Sequence, residues 1–202
     1  MTQPHAPVAG VILAGGRASR MGGRDKAFAA VAGEPIVVRT VRVFRALFPQ
    51  VLVSTNRAER FAALDVQTVA DRFAGAGPLA GIHAAMLASR YPHVFVAACD
   101  MPGLDPDVIR LVLARVGTAD AVVPRWDGDV EPLHAVYAVR ALPAIEAALA
   151  SGRHAMRDFL TTVRVDWVDE GELRALRGAA ASLTNVNTPE DLAGVGGRFE
   201  EP

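Results

Sequence analysis

Short apolar segments alternate with segments of helical periodicity along most of this sequence, and this alternation limits the possible folds more than any other feature. Residues 8–13 and 94–98 are apolar runs of the length that buried parallel strands have. Residues 35–48 instead place apolar side chains at the spacing of a helix that packs on one face. Strands that alternate with helices predict an α/β fold with a mostly parallel sheet and helices on both of its faces.

The same patterns extend this prediction over almost the whole chain. Further strands are predicted at residues 51–55, 66–70, 121–124, 133–139 and 163–168. Further helices are predicted at residues 57–64, 79–89, 140–150 and 156–160, after Asp105-Pro106, and after 187–189. We expect one domain over residues 8–193, with a flexible N-terminus at 1–7 and a flexible C-terminal tail at 194–202.

The amino-acid composition limits the binding partners and the cellular compartment expected for this protein. Lys and Arg number 21 against 22 Asp and Glu, so a large nucleic-acid-binding surface is not expected. The single cysteine, Cys99, excludes a disulfide within the chain and is typical of a reducing compartment. No run approaches the ~20 apolar residues that span a bilayer, and residues 1–7 lack the order of a secretory signal. We expect a cytoplasmic protein that binds neither nucleic acid nor membrane.

A glycine-rich basic segment, Leu-Ala-Gly-Gly-Arg-Ala-Ser-Arg-Met-Gly-Gly-Arg-Asp-Lys, follows the first strand at residues 13–26. Gly15 and Gly16 allow the backbone to approach a phosphate and to present its N–H groups, and Arg20 and Lys26 add cationic donors. The order matches neither the P-loop nor the dinucleotide-binding fingerprint. By composition alone, a phosphate-binding loop and a surface loop made soluble by arginines are equally good interpretations.

Polar side chains follow three other predicted strands at the point where each strand ends. These are Asn56, Asp71 and Asp100. Ligands of open α/β sheets bind at the carboxyl ends of the strands, and a carboxylate such as Asp100 suits Mg²⁺. Taken alone, an Asp at such a position more often caps a turn, which applies to both Asp100 and Asp71, and Asn56 could simply end its strand. The residues alone leave both interpretations open, and they offer no nucleophile paired with a base.

Together these motifs resemble the molybdenum cofactor guanylyltransferase family. The segment at 13–26 matches the signature Leu-Ala-Gly-Gly-x-x-x-Arg-Met-Gly-Gly-x-Asp-Lys, where relatives that use CTP tend to have Ala-Ala-Gly. The similarity extends to about residue 192 and includes Gly-Pro-Leu-Ala-Gly at 77–81, Cys-Asp-Met-Pro at 99–102, Glu-Pro-Leu-His-Ala-Val-Tyr at 131–137 and Asn-Val-Asn-Thr-Pro-Glu-Asp-Leu at 185–192.

The resemblance implies a single Rossmann-like three-layer domain of the nucleotide-diphospho-sugar transferase type, and a site made of particular residues. The nucleotide-binding residues would be Leu13, Ala14, Gly15, Gly16, Lys26, Asn56, Asp71 and Asp100. Asp100 would also bind Mg²⁺, and Arg20, Lys26 and Asp100 would be catalytic. Asn185 and Asn187 would lie near the pterin or support the metal. Either Asn56 or Asp71 would recognise guanine.

The implied reaction transfers GMP from GTP to the terminal phosphate of molybdopterin and releases pyrophosphate. A phosphate monoester has a second pKa of about 6, so the acceptor needs no general base at neutral pH. The alternatives are a molybdopterin cytidylyltransferase, another sugar- or alditol-phosphate nucleotidyltransferase of the same fold, and a non-catalytic nucleotide-binding module. A labile product would favour direct hand-off to a molybdoenzyme or its chaperone.

Overall fold

A computed structural model describes residues 7–15 and 26–199 of the chain. The described strands are β1 (Val8–Leu13), β2 (Ala30–Val31), β3 (Glu34–Pro35), β4 (Val51–Ser54), β5 (Gln67–Val69), β6 (His93–Ala98), β7 (Ala121–Trp126), β8 (Asp129–Val130), β9 (His134–Ala138), β10 (Val165–Val168) and β11 (Gly197–Arg198). The described α-helices are α1 (Ile36–Leu47), α2 (Pro78–Ala88), α3 (Pro106–Ala114), α4 (Leu142–Ala150), α5 (Met156–Leu160), α6 (Glu170–Arg174), α7 (Ala179–Ser182) and α8 (Pro189–Gly194).

The main sheet has the strand order β10-β7-β9-β6-β1-β4-β5, and β8 pairs with β7 beside this path. β1 is parallel to β4 and β6, β4 is parallel to β5, and β10 is parallel to β7. β9 is antiparallel to both of its neighbours. Only residues 127–133 separate β7 from β9, too few for a parallel crossover. The prediction of a mostly parallel sheet is confirmed.

Alternate residues of β1 face opposite sides of the sheet, and each side is covered by helices. Ile12 packs in a core that includes Phe44 of α1 and Val108 of α3. Val11 packs in a second core that includes Leu79 of α2 and Ile145 of α4. All six residues of β1 are buried, because this strand lies inside the sheet and between two helical layers. The predicted three-layer architecture is therefore confirmed.

The helical segments can be compared with the sequence predictions one by one. Asp105 caps α3, since its Oδ1 accepts from the backbone N–H of Asp107 at 2.8 Å, as the sequence predicts. The segment predicted as a short helix at residues 57–64 is a 3-10 helix over Ala58–Leu64. None of the helices among the described residues is long and apolar enough to cross a bilayer.

A second, three-stranded sheet with the order β11-β2-β3 was not predicted. Its strands have only two residues each, too few to show an alternating pattern. β11 falls within the segment predicted as a flexible tail, and it pairs with β2 antiparallel. A small core of Ala29, Ile36, Val186 and Leu192 lies beside this sheet, so the C-terminal segment packs against the chain just after Lys26.

Candidate nucleotide-binding site

Backbone hydrogen bonds hold the carboxyl ends of the central strands side by side. The Cys99 N–H, just after β6, donates to the Leu13 carbonyl at 3.0 Å. The Ala14 N–H, just after β1, donates to the Ser54 carbonyl at 2.9 Å. The Val186 N–H donates to the Asp100 carbonyl at 2.9 Å and so brings a distant segment to the same edge. These bonds bring the residues that follow β1, β4 and β6 to one edge of the sheet.

A first cluster at this edge joins Lys26, Asp100 and Asn187. The Lys26 Nζ donates to Asn187 Oδ1 at 3.0 Å and lies 3.5 Å from Asp100 Oδ2. Only 19% of the Lys26 side chain and 21% of the Asp100 side chain are exposed, so water screens their attraction incompletely. Burial raises the pKa of Asp100, and the Lys26 charge opposes that rise. The cluster can thus present a cation and a carboxylate to the same ligand.

A second cluster joins Ser54, Asn56 and Asp71. The Asp71 carboxylate accepts from Ser54 Oγ at 3.1 Å and from Asn56 Nδ2 at 3.4 Å. The Asn56 Oδ1 in turn accepts from the Asp71 backbone N–H at 3.0 Å. A Cβ atom added to Gly15 would lie 3.8 Å from Asp71 Oδ2, so the end of β1 borders this cluster. Side-chain hydrogen-bond acceptors are therefore held beside a glycine backbone.

Glu131 is a site residue that the sequence patterns did not single out. It is half-buried, its carboxylate accepts a hydrogen bond from the Asn185 side chain, and it interacts electrostatically with Asp100. Burial raises the pKa of Glu131, and the Asn185 hydrogen bond opposes the rise. The available signal was its place in the segment at 131–137, which the resemblance included without assigning a role to Glu131.

The structure brings many of the predicted site residues to one edge of the sheet. Leu13 ends β1 and is followed by Ala14 and Gly15. Asn56 and Asp71 belong to the second cluster, and Lys26, Asp100 and Asn187 form the first. Asn185 contacts Glu131 beside Asp100. Gly16 and Arg20, which the sequence also assigns to the site, lie outside the described residues.

The side chains at this edge fit a divalent cation. Within residues 7–15 and 26–199, no group of three or more His, Cys, Asp or Glu side chains is arranged to hold a metal ion. Mg²⁺ in nucleotide-binding sites usually takes one or two protein carboxylates and completes its shell with phosphate oxygens and water. The partly exposed carboxylate of Asp100, with the negative charge of Glu131 beside it, matches that donor chemistry.

Known proteins resemble the chain across almost its whole length. Residues 10–168 match the family described as the MobA-like NTP transferase domain. A probable molybdenum cofactor guanylyltransferase of Pelotomaculum thermopropionicum is 40% identical over 91% of this chain and 89% of its own length. The molybdenum cofactor guanylyltransferase of Pseudomonas putida is 36% identical over 95% of this chain and 99% of its own.

A solved structure agrees with these relatives. The crystal structure of molybdopterin-guanine dinucleotide biosynthesis protein A from Archaeoglobus fulgidus superposes with a TM-score of 0.82 at 27% identity. The match covers 93% of this chain and 96% of that one. The chain belongs to the MobA-like NTP transferase domain family.

Proposed function

We propose that this protein transfers GMP from GTP to the terminal phosphate of molybdopterin, releases pyrophosphate and so forms molybdopterin guanine dinucleotide. The observation that carries the proposal is the cluster of Lys26, Asp100 and Asn187 at the carboxyl ends of the strands, in a chain of this family. The names of the relatives support guanylyl transfer as the reaction.

The chemistry is a displacement at the α-phosphorus of GTP. An oxygen of the acceptor phosphate forms a bond to the α-phosphorus, and the bond from that phosphorus to the bridging oxygen of the β-phosphate breaks. The electron pair of that bond leaves with pyrophosphate. Because the acceptor is already largely dianionic at neutral pH, the protein needs to position it and to offset charge repulsion, not to remove a proton.

Lys26 is the cation of the described residues best placed for this task. Its Nζ can reach phosphate oxygens from a position fixed by Asn187, and it offsets the charge that develops on the leaving group. Arg20 and the amides around Gly16 would add donors from the segment between β1 and Lys26. Asp100 would hold Mg²⁺, which supplies charge neutralisation between phosphate oxygens when bound.

The second cluster is the proposed nucleoside side of the site. Guanine presents N–H donors on its pairing edge, and ribose presents hydroxyl groups, so the acceptor oxygens of Asn56 and Asp71 suit either. The carboxylate of Asp71 is held from both sides by Ser54 and Asn56. Asn185, beside Glu131, is the proposed acceptor side, where molybdopterin would approach.

The proposal includes two further expectations from the sequence. Direct hand-off of the labile product to a molybdoenzyme or its chaperone would protect that product from water. The cytoplasm is the compartment that the single cysteine predicts.

Nucleotide selectivity tests the proposal against its nearest alternatives. Calorimetry with Mg²⁺ compares the binding of GTP, CTP, ATP and UTP, and a titration without divalent cation serves as the control. We expect GTP to bind most tightly, and its affinity to fall when the cation is removed. Preference for CTP would move the protein to the cytidylyltransferase class, and lack of binding by all four nucleotides would contradict the proposal.

A further inference from the structure

Lys26 owes its position in part to the short C-terminal segment that contains Asn187 and the start of α8. Its Nζ donates to Asn187 Oδ1 at 3.0 Å, a closer contact than the 3.5 Å to Asp100. Lys26 is the only lysine in the sequence, since the other 20 of its 21 basic residues are arginine. Whatever fixes Asn187 therefore fixes the only ammonium group that a side chain of this protein can offer.

Asp191 fixes Asn187 through the backbone. Its Oδ2 accepts from the Asn187 N–H at 2.8 Å and from the Thr188 N–H at 2.9 Å, while its own N–H donates to Thr188 Oγ1 at 3.1 Å. The exchange between Thr188 and Asp191 is the capping box of α8. The additional bond to Asn187 is not needed to cap the helix, because Asn187 precedes the N-cap residue.

The residues that flank Asn187 and Asp191 pack in the same small core as the residues that follow Lys26. Val186, which precedes Asn187, and Leu192, which follows Asp191, are buried together with Ala29 and Ile36. Ala29 follows the 3-10 helix that Lys26 begins. The lysine and the asparagine that orients it are thus anchored to the same group of buried side chains.

We infer that Asp191 is a positioning residue that places the Lys26 ammonium through Asn187. Its effect on turnover rests on the proposed function, because Lys26 must contact the nucleotide for its placement to matter. Its effect on the position of Lys26 is independent of the proposed function. Without the Asp191 carboxylate, Asn187 loses a backbone anchor, and Lys26 retains only its longer contact with Asp100.

Three variants of the full chain separate positioning from helix capping. Asp191→Ala removes the contact to Asn187 together with the cap. Thr188→Ala weakens the cap but leaves the Asp191 carboxylate free to accept from the Asn187 N–H. Asp191→Glu keeps a carboxylate at the capping-box position and is the conservative rescue.

Two readouts are measured on each variant. The first is the rate at which an amine-acylating reagent modifies Lys26, followed by mass spectrometry with the N-terminal amine as internal reference. The second is kcat and KM for GTP. Loss of a residue that orients a metal ligand typically reduces activity by about 10- to 100-fold, and we expect a similar range for a residue that orients Lys26. We expect Asp191→Ala to accelerate acylation of Lys26 and to lower kcat by an amount in that range.

We expect Thr188→Ala to lower the Tm while the acylation rate of Lys26 and kcat stay at wild-type values. We expect Asp191→Glu to bring the acylation rate and kcat back towards those values. Unchanged acylation in Asp191→Ala would overturn the inference. Equal acceleration in Thr188→Ala would also overturn it, because capping alone would then explain the effect. If the wild-type protein fails to turn over GTP, the proposed function fails, but the acylation rates still decide the role of Asp191.

Discussion

The Nζ atom of Lys26 lies 3.5 Å from Oδ2 of Asp100, although 74 residues separate them in the sequence. Two different parts of the fold place these side chains. Asp100 follows β6 in the middle of the sheet, and Lys26 begins the short 3-10 helix that packs beside α1. The pair lies at the carboxyl ends of the strands, where open α/β sheets bind their ligands. Loss of either charge should therefore affect catalysis more than folding.

Lys26→Met removes the proposed phosphate contact and should lower kcat by about 10²–10³-fold, as loss of one electrostatic donor in an active site typically does. Pyrophosphate release measures the rate, and circular dichroism checks the fold. Arg110→Met is the matched control, because Arg110 is a cation that pairs with Asp107 on the surface of α3. Wild-type turnover in Lys26→Met would show that the assigned role is wrong.

Asp71→Asn should weaken GTP binding about tenfold. A hydrogen bond to a charged group contributes roughly 1.5 kcal/mol, and its loss corresponds to a change of that size in Kd. The change leaves the size of the side chain almost unaltered and removes the charge that accepts from Ser54 and Asn56. Calorimetry measures Kd, and Asp65→Asn, at an exposed position, is the control. Equal affinities for the variant and the wild-type protein would exclude Asp71 from nucleotide recognition.

Gly81→Ala should destabilise the protein and weaken GTP binding together. A Cβ atom at Gly81 would lie 2.7 Å from Ser54 Oγ and 2.9 Å from Leu13 Cδ2, and Ser54 holds Asp71. Overpacking of this kind costs about 1–3 kcal/mol, more than the roughly 0.5–1 kcal/mol that alanine gains over glycine within a helix.

The control for this substitution lies in another helix. Gly171 is in α6, and a Cβ atom there would meet nothing within 4 Å. Gly171→Ala should therefore raise the Tm slightly, since only the helix preference remains. Urea unfolding and calorimetry measure both variants. A Gly81→Ala protein as stable as the wild type would show that α2 can move away from β1 and β4 without loss.

The pH dependence of stability should reflect His134. This side chain is fully buried against Phe95, and its Nε2 lies 3.1 Å from Ser182 Oγ. Burial lowers the pKa of His134 from 6.5 to about 4. Between those values the unfolded chain binds a proton that the folded chain does not, so the free energy of unfolding falls as the pH drops from about 6.5 to about 4.

The expected loss over that range is about 3 kcal/mol for His134, from roughly 1.4 kcal/mol per pKa unit. Burial and Arg140 also lower the pKa of His93, which adds to this loss, whereas the raised pKa values of Asp100 and Glu131 offset part of it. Urea unfolding at several pH values measures the effect, and His134→Gln should flatten the curve. An identical slope in His134→Gln and the wild type would contradict the assignment.

Much of the fold follows from local pattern. The apolar run of β1 and the one-sided periodicity of α1 are strong signals, because burial between two layers requires them. The cap of α3 is set by Asp105 and Pro106 alone. The small sheet could not be predicted in this way, since β2, β3 and β11 are too short to carry a pattern and depend on contacts between distant segments.

The candidate site likewise contains residues that local sequence predicts and residues that it does not. Asp100, Asp71 and Asn56 follow predicted strands, so topology alone places them at one edge. Glu131 and Asp191 could not be found from local sequence, because the partner of Glu131 is the distant Asn185, and Asp191 matters only through the contact of Asn187 with the distant Lys26. Arg20 and Gly16 lie outside the described residues, and their roles stay predictions.

Transfer of GMP to the pterin is the most direct test of the proposed reaction. The purified protein is incubated with Mg²⁺, Mo-molybdopterin and GTP that carries a radiolabel on the α-phosphate, and the pterin product is separated from free nucleotide. We expect label in the pterin fraction, one pyrophosphate released for each label incorporated, and loss of both in Asp100→Asn. Label that stays entirely in GTP, or enters the pterin from CTP instead, would contradict the proposed reaction.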